Sequence, residues 1–180
     1  MIAIMLKAFS HYLALLPSRL SEFMPNETVL KIEDPVTGLF VVESGLVHLL
    51  RFQEDGGRVV LQRAQRGAIL AEASVFTTHY HCDAVCMLRT SLRRYSVNAV
   101  QKLLSQNAEA AQSYALHLAD EVRVARRRAE ILALKTVSER LSAWLIWHGG
   151  ILPAKGQWHH IAEDIGVSRE ALYRELSRRG

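Results

Sequence analysis

The sequence predicts an α+β chain in three parts: an N-terminal antiparallel β-roll of jelly-roll type, a long helix, and a C-terminal helix-turn-helix. Three observations predict it. From Thr28 to Tyr95, apolar stretches of five to seven residues alternate with Gly, Asp and Pro punctuation. From Ser96 to His148 there is neither Gly nor Pro. Residues 158–180, WHHIAEDIGVSREALYRELSRRG, then place small, apolar and charged residues at the spacing of two short helices crossing over a tight turn. The expected boundaries are 1–95 for the roll with a leading helix, 96–134 for the long helix and 135–180 for the last part.

Residues 2–16 read as an amphipathic helix closed by Pro17. Lys7, Ser10 and His11 interrupt its apolar run, no basic segment precedes it and no A-x-A-like site follows. A helix packed on the next domain is therefore expected, rather than a signal peptide. The strand segments are TVLKI, LFVVESG, LVHLLRF, RVVLQRA, AILAEASVF, DAVCML and SLRRYS. Glu33-Asp34-Pro35 and Thr37-Gly38 supply turn chemistry, and Asp55-Gly56-Gly57 is a hairpin signal between two strands. Short strands at this spacing argue for a sandwich or roll.

The long helix carries Ala111, Ala115, Leu118, Val122, Ala125, Ala129 and Leu132, spaced 4-3-4-3-4-3. That is an a/d seam, and charged residues such as Asp120, Arg123 and Arg127 flank it. A one-sided seam on so long a helix wants a partner, and a second copy of the chain is the expected one. TVSERLSAWLIWH, residues 136–148, forms another amphipathic helix with Val137, Leu141, Trp144, Leu145 and Trp147 toward a core. Gly149-Gly150 ends it.

The 180 residues are 49% hydrophobic and 22% charged, ordinary for a soluble globular protein. No run reaches the roughly 18 apolar residues a membrane span needs, and cytoplasmic residence is the default expectation. The net charge of +4 is unevenly spread. Residues 1–120 hold 11 basic and 11 acidic side chains, and residues 121–180 hold 11 and 7. A neutral first part joined to a basic last part suits a sensor joined to a polyanion-binding module. No Gly-rich phosphate loop, nucleophile elbow or H-E-x-x-H motif occurs, which argues against an enzyme.

In residues 158–180, Ala162 is small where two helices approach, and Gly166 suits a left-handed turn. Ile161, Ile165, Val167, Leu172 and Leu176 form a shared core, and Ser168 suits an N-cap. The second helix then presents Arg169, Glu170, Tyr173, Arg174, Arg178 and Arg179. Arg can donate two hydrogen bonds to guanine, and Glu can accept from cytosine. Arg169, Glu170 and Arg174 are expected to read bases in double-stranded DNA, with Ser168, Tyr173, Arg178 and Arg179 orienting on its backbone. A sensor or adaptor that binds a protein instead of DNA is the alternative.

IGVSREALYREL resembles the recognition element of the Crp–Fnr superfamily, the cyclic-AMP receptor protein and its relatives; Ser168, Arg169, Glu170 and Arg174 match its Ser-Arg-Glu-x-x-x-Arg pattern. EDPVTGLFVVESGLVHLLRF is similar to that family's first roll hairpins, with Glu33 standing where the family has Gly. RGAILAEASVF resembles the segment that opens its effector cassette, where Glu72 matches a ribose-binding Glu. The resemblance implies a homodimeric transcription regulator, a cyclic nucleotide-binding-like domain and contact with RNA polymerase. It departs at three places. His81-Cys82-Asp83-Ala84 stands where the family's cyclic-nucleotide members carry Arg and Ser or Thr, so cyclic AMP is a poor fit. Two cysteines do not match the four of the iron–sulfur members. The sequence ends at Gly180, so the β-hairpin wing is expected to be missing or abbreviated. Glu175 also stands where many such motifs are apolar.

TTHYHCDAVCML concentrates His79, His81, Cys82, Asp83 and Cys86. Imidazole and thiolate together suit a soft or borderline metal ion, or a redox signal. Strand alternation opposes one shared site: His79, His81 and Asp83 fall on one face, and Cys82 and Cys86 on the other. Core filling by the cysteines, metal or redox sensing, and another effector all remain open on the sequence.

Overall fold

The computed structural model describes residues 8–54 and 57–179. Its first helix, α1, is Phe9–Leu13. This is shorter than the helix expected over residues 2–16, of which residues 2–7 lie outside the described residues. The helix ends at Leu13, ahead of the expected stop at Pro17, and a strand that the sequence pattern does not announce follows Pro17, β1 (Ser18–Phe23). Its burial barely alternates, because it is an edge strand with one neighbour.

The other strands are β2 (Thr28–Leu30), β3 (Gly38–Ser44), β4 (Leu46–Phe52), β5 (Arg58–Gln65), β6 (Ile69–Leu70), β7 (Asp83–Cys86) and β8 (Thr90–Ser96). They form two four-stranded sheets, ordered β1-β8-β3-β6 and β2-β7-β4-β5, with every pair antiparallel. β4 and β5 pair across the hairpin expected at Asp55-Gly56-Gly57; Asp55 and Gly56 themselves lie outside the described residues. Glu33 has φ 66°, the left-handed region. That conformation favours glycine, so a Glu there is a strained turn residue.

LFVV reads as an unbroken apolar run because both faces of β3 are covered. Phe40 and Val42 enter the core between the sheets, with Leu49, Leu70 and Leu92. Leu39 and Val41 face a second core, built with Leu13, Tyr95 and the helices that follow β8. Strands buried on both sides lose the period of two.

The sequence predicts one helix over residues 96–134, and the structure has two. α2 (Val97–Gln106) and α3 (Ala108–Ala133) are separated by Asn107, whose φ of −130° and ψ of 104° are extended. Its Oδ1 accepts from Ala110 N at 2.9 Å, so a side-chain cap starts a new helix where the sequence has no Gly or Pro. Val100 and Leu104 of α2, and Ala110 and Tyr114 of α3, close the second core.

The chain divides into two units, Met1–Leu118 and Ala119–Gly180, at a point within α3. In the second unit, α4 (Val137–Trp147) starts from a reciprocal cap. Thr136 Oγ1 accepts from Glu139 N at 3.2 Å, and Glu139 Oε2 accepts from Thr136 N at 2.9 Å. Gly149 and Gly150, both at positive φ, follow its end. α5 (Trp158–Asp164) and α6 (Arg169–Arg179) complete the unit. Leu141, Ile161, Ile165 and Leu172 are fully enclosed in its core, with Trp144 and Ile131 beside them. Among the described residues, no helix is long and apolar enough to cross a membrane.

Candidate nucleic-acid interface and sensor cassette

α5 and α6 meet over a turn with Gly166 at φ 65°. Ser168 Oγ accepts from Ala171 N at 3.1 Å and caps α6 at its start. Ala162 is buried at the crossing. α6 thereby buries Leu172 and turns Arg169, Glu170, Tyr173 and Arg174 to solvent. Arg169 and Arg174 make no hydrogen bond or ion pair with any described residue. Hydrogen bonds from its own backbone N–H and from the Ser168 hydroxyl hold the Glu170 carboxyl below its usual range, so it is an anion at neutral pH. Tyr173 leans on Trp158, ring centroids 5.4 Å apart.

The two terminal arginines part company. Arg178 is 70% exposed, and its guanidinium meets Glu175 Oε2 at 2.8 Å. Arg179 is expected from the sequence to face outward with it, but only 30% of its side chain is exposed. Its Nε donates to Glu175 Oε1 at 2.7 Å, and its Nη2 reaches Ser138 O at 2.7 Å and Ser142 Oγ at 2.9 Å. Arg179 therefore clasps α6 to α4, while the residue itself stays exposed. The same clasp explains an acidic residue where an apolar one is usual. Glu175 is 8% exposed, and Arg179, Ser138 and Arg178 hold its carboxyl at about 2. A buried carboxylate is tolerable when charge and hydrogen bonds surround it.

Sequence reasoning passes over Arg140, on α4. Its Nε donates to Leu134 O at 2.8 Å, and its Nη1 donates to Ile165 O at 3.1 Å and Gly166 O at 3.3 Å. In the linear sequence it is one more Arg in a charged stretch, and only the folding back of the α5–α6 turn gives it a role.

The seam residues of α3 differ in their surroundings. Leu118 is partly buried against the second core of the first unit. Val122 is 46% exposed, and Ala125 and Ala129 are exposed too. Leu132 touches the turn: a Cβ on Gly166 would lie 2.8 Å from its Cδ2.

In the roll, β6 runs into a short 3-10 helix, Glu72–Ser74, after Ala71 at φ 65°. Glu72 is buried, and its backbone carbonyl accepts from Tyr114 Oη of α3 at 2.8 Å. Burial, with the Glu72 charge, pushes the Tyr114 hydroxyl up to about 12, so it remains a donor. Gln101 of α2 donates to Val75 O at 2.6 Å. Two helices thus hold the cassette by its backbone, a connection no local spacing displays.

His79, His81, Cys82, Asp83 and Cys86 do not form one ligand set. Among the described residues, no group of three His, Cys, Asp or Glu side chains is placed to hold a metal ion. The physical reason is alternation together with prior engagement. Cys82 and Cys86 are buried in the core between the sheets as free thiols. Asp83 Oδ1 accepts from Ile32 N at 3.1 Å. His79 Nδ1 lies 2.9 Å from Thr78 Oγ1, and His81 Nδ1 lies 3.2 Å from Ser74 Oγ. Burial, then the charges of Glu72 and Asp83, push the Cys82 thiol up to about 11. Burial also raises Cys86. Neither is a thiolate at neutral pH, and the thiolate is the form that binds metal or reacts.

Arg51 of β4 carries no signal in the sequence. Pairing of β4 with β7 brings it beside the cassette, where its Nε and Nη2 donate to His81 O at 3.1 and 2.8 Å. A cyclic phosphate here would meet the Asp83 carboxylate, with Arg51 already engaged by the His81 carbonyl.

Comparison with known proteins agrees with this architecture. Residues 20–107 match the cyclic nucleotide-binding domain family. FixK2 from Bradyrhizobium japonicum is similar at 21% identity, over 91% of this chain and 84% of its own, with a TM-score of 0.75. The c-di-GMP-responsive global regulator CLP of Xanthomonas campestris is similar at 19%, over 95% and 90%, with a TM-score of 0.70. A CRP-family transcriptional regulator from Thermus thermophilus follows at 20%, over 88% and 84%, with a TM-score of 0.63. At these identities the likeness is one of fold. No curated protein matches the chain in sequence. The chain thus shares the α+β fold of these solved regulators, and residues 20–107 match the cyclic nucleotide-binding domain family.

Proposed function

We propose that this chain is a homodimeric, DNA-binding transcription regulator whose roll responds to a small effector. Two copies pair along the exposed Val122–Ala125–Ala129 stripe of α3, where small residues allow close approach. Each α6 enters a major groove, and the half-sites lie about one helical turn, roughly 34–36 Å, apart. Arg169, Glu170 and Arg174 read base edges, while Ser168, Tyr173 and Arg178 orient on phosphate.

The observation that carries this reading is the outward face of α6. The side chains of Arg169 and Arg174 project from a capped, well-packed helix without a hydrogen bond or ion pair among the described residues, whereas Arg179 on the same helix is engaged by Glu175 and α4. Fold-level likeness to CRP-family regulators supports it, as does the surplus of basic over acidic residues after position 120. An effector in the roll would bias α3 through the Tyr114–Glu72 contact, provided it binds the two states of the roll unequally.

Fluorescence anisotropy of labelled duplex, titrated with protein at increasing salt, tests this. Affinity should fall steeply and linearly on logarithmic axes as counterions cease to be released. A flat salt response, or no binding to a randomised duplex pool, rejects it.

A further inference from the structure

Arg140 ties three pieces of backbone together. Its guanidinium donates to Leu134 O, just past the end of α3, and to Ile165 O and Gly166 O at the turn before α6. The last carbonyls of a helix lack intrahelical partners and carry the negative end of its dipole. One planar cation therefore answers the ends of both α3 and α5. The hydrophobic half of the joint lies alongside: Gly166 leaves room for Leu132 of α3, whose Cδ2 would stand 2.8 Å from any Cβ at that position. Arg140 is itself fixed, since it lies in the first turn of α4 and its N–H donates to Thr136 O at 3.1 Å.

From this geometry we infer that Arg140 is a spacing determinant: it sets the angle of α6 against the end of α3, and so which half-site separation the dimer accepts. The inference rests on the DNA-binding reading above. Without the rivet, α3 is held to the rest of the unit by the Leu134 to Thr136 link and by apolar contacts alone, Ile131 in the shared core and Leu132 against the turn. α6, still clasped to α4 by Arg179, then shifts together with α4 and α5 against the end of α3. Its base-reading side chains are untouched, so the half-site sequence it prefers stays the same. Arg140 is a positioning residue, and its signature is a change in tolerated spacing rather than in bases read.

The test begins with a randomised duplex pool, from which wild-type protein selects its half-site. Duplexes carrying two such half-sites are then made at the selected spacing and with one base pair more or fewer. Wild type should prefer the selected spacing by roughly ten- to hundredfold, comparable to one misplaced base pair. Arg140→Met should retain the half-site preference but discriminate spacing by less than about threefold, a loss set against that same single-position penalty. Arg140→Lys serves as the second variant. It keeps charge and stem, but a single ammonium cannot present the fork that meets both helix ends. It should discriminate less than wild type even if Arg140→Met fails to fold. Full wild-type spacing preference in the Lys variant overturns the inference, as does a Met variant that is merely less stable with its spacing preference intact. If wild type selects no duplex at all, the DNA-binding reading fails and this inference falls with it.

Discussion

Arg174 and Arg179 lie on one helix and meet different fates. The Arg174 side chain points to solvent without a partner among the described residues, while Arg179 spends its guanidinium on Glu175, Ser138 and Ser142. Arg169→Ala should cost about 1–3 kcal/mol on a selected duplex and relax base choice at one position. Arg178→Ala should weaken all duplexes alike and lower the salt slope by about one, the mark of a phosphate contact. Binding isotherms on selected and random duplexes separate these two outcomes. Glu175 gives a pH prediction. Its folded-state value of about 2 lies below the ordinary 4.5, so its stabilisation is fully present above pH 4.5 and is lost as pH falls toward 2. All three tryptophans, Trp144, Trp147 and Trp158, lie in the C-terminal unit, so their fluorescence reports its acid unfolding. Glu175→Gln should be less stable at neutral pH and should lose the acid-dependent step between those values. The cysteines behave differently again. Because burial keeps Cys82 and Cys86 protonated, neither should react with a disulfide reagent at pH 8 until the roll unfolds. Rapid labelling of the folded protein would contradict their place in the core. The outward residues of α6 are legible in the sequence, because capping and helical spacing are local. Arg51, Arg140 and the clasp of Arg179 on α4 are not, because each acts through a partner 25 or more positions away.

At the scale of elements, the same distinction holds. Strands β2 to β5, β7 and β8 announce themselves through turn chemistry and apolar runs, whereas AILAEASVF reads as a strand and is one only at Ile69–Leu70 before the 3-10 helix Glu72–Ser74. β1 does not announce itself, because its single neighbour, β8, lies more than 60 residues later in the chain. The break at Asn107 is hidden for another reason. Asn in a run of helix formers is read as a mild dissenter, yet here its side chain caps Ala110 and starts α3. Asn107→Ala should remove that cap and destabilise the first unit by about 1 kcal/mol, measured by denaturant unfolding. The seam on α3 is testable at this scale too. Ala125→Glu places a charge on the stripe between the two copies. Sedimentation should then show the 20.3 kDa chain as a monomer, where the wild type runs as a dimer. A monomeric wild type would remove the basis for paired reading heads.

Over the whole chain the charge is unevenly divided. The first 120 residues are balanced, and the surplus of positive charge lies wholly beyond them. Such a division concentrates attraction for a polyanion on the unit that bears α6. The order of antiparallel strands, then a long helical stretch, then short C-terminal helices is legible in composition and punctuation, although the break at Asn107 is not. What the roll binds is not legible there either, since the cassette is assembled from β4, β7, the 3-10 helix and α3, which only the fold brings together. Hydroxyl-radical footprinting of a selected duplex tests the central claim most directly. Two protected stretches centred about one helical turn apart are predicted, with both lost together in Ala125→Glu. A single protected stretch, or two that persist in the monomer, would contradict a dimer reading adjacent major grooves.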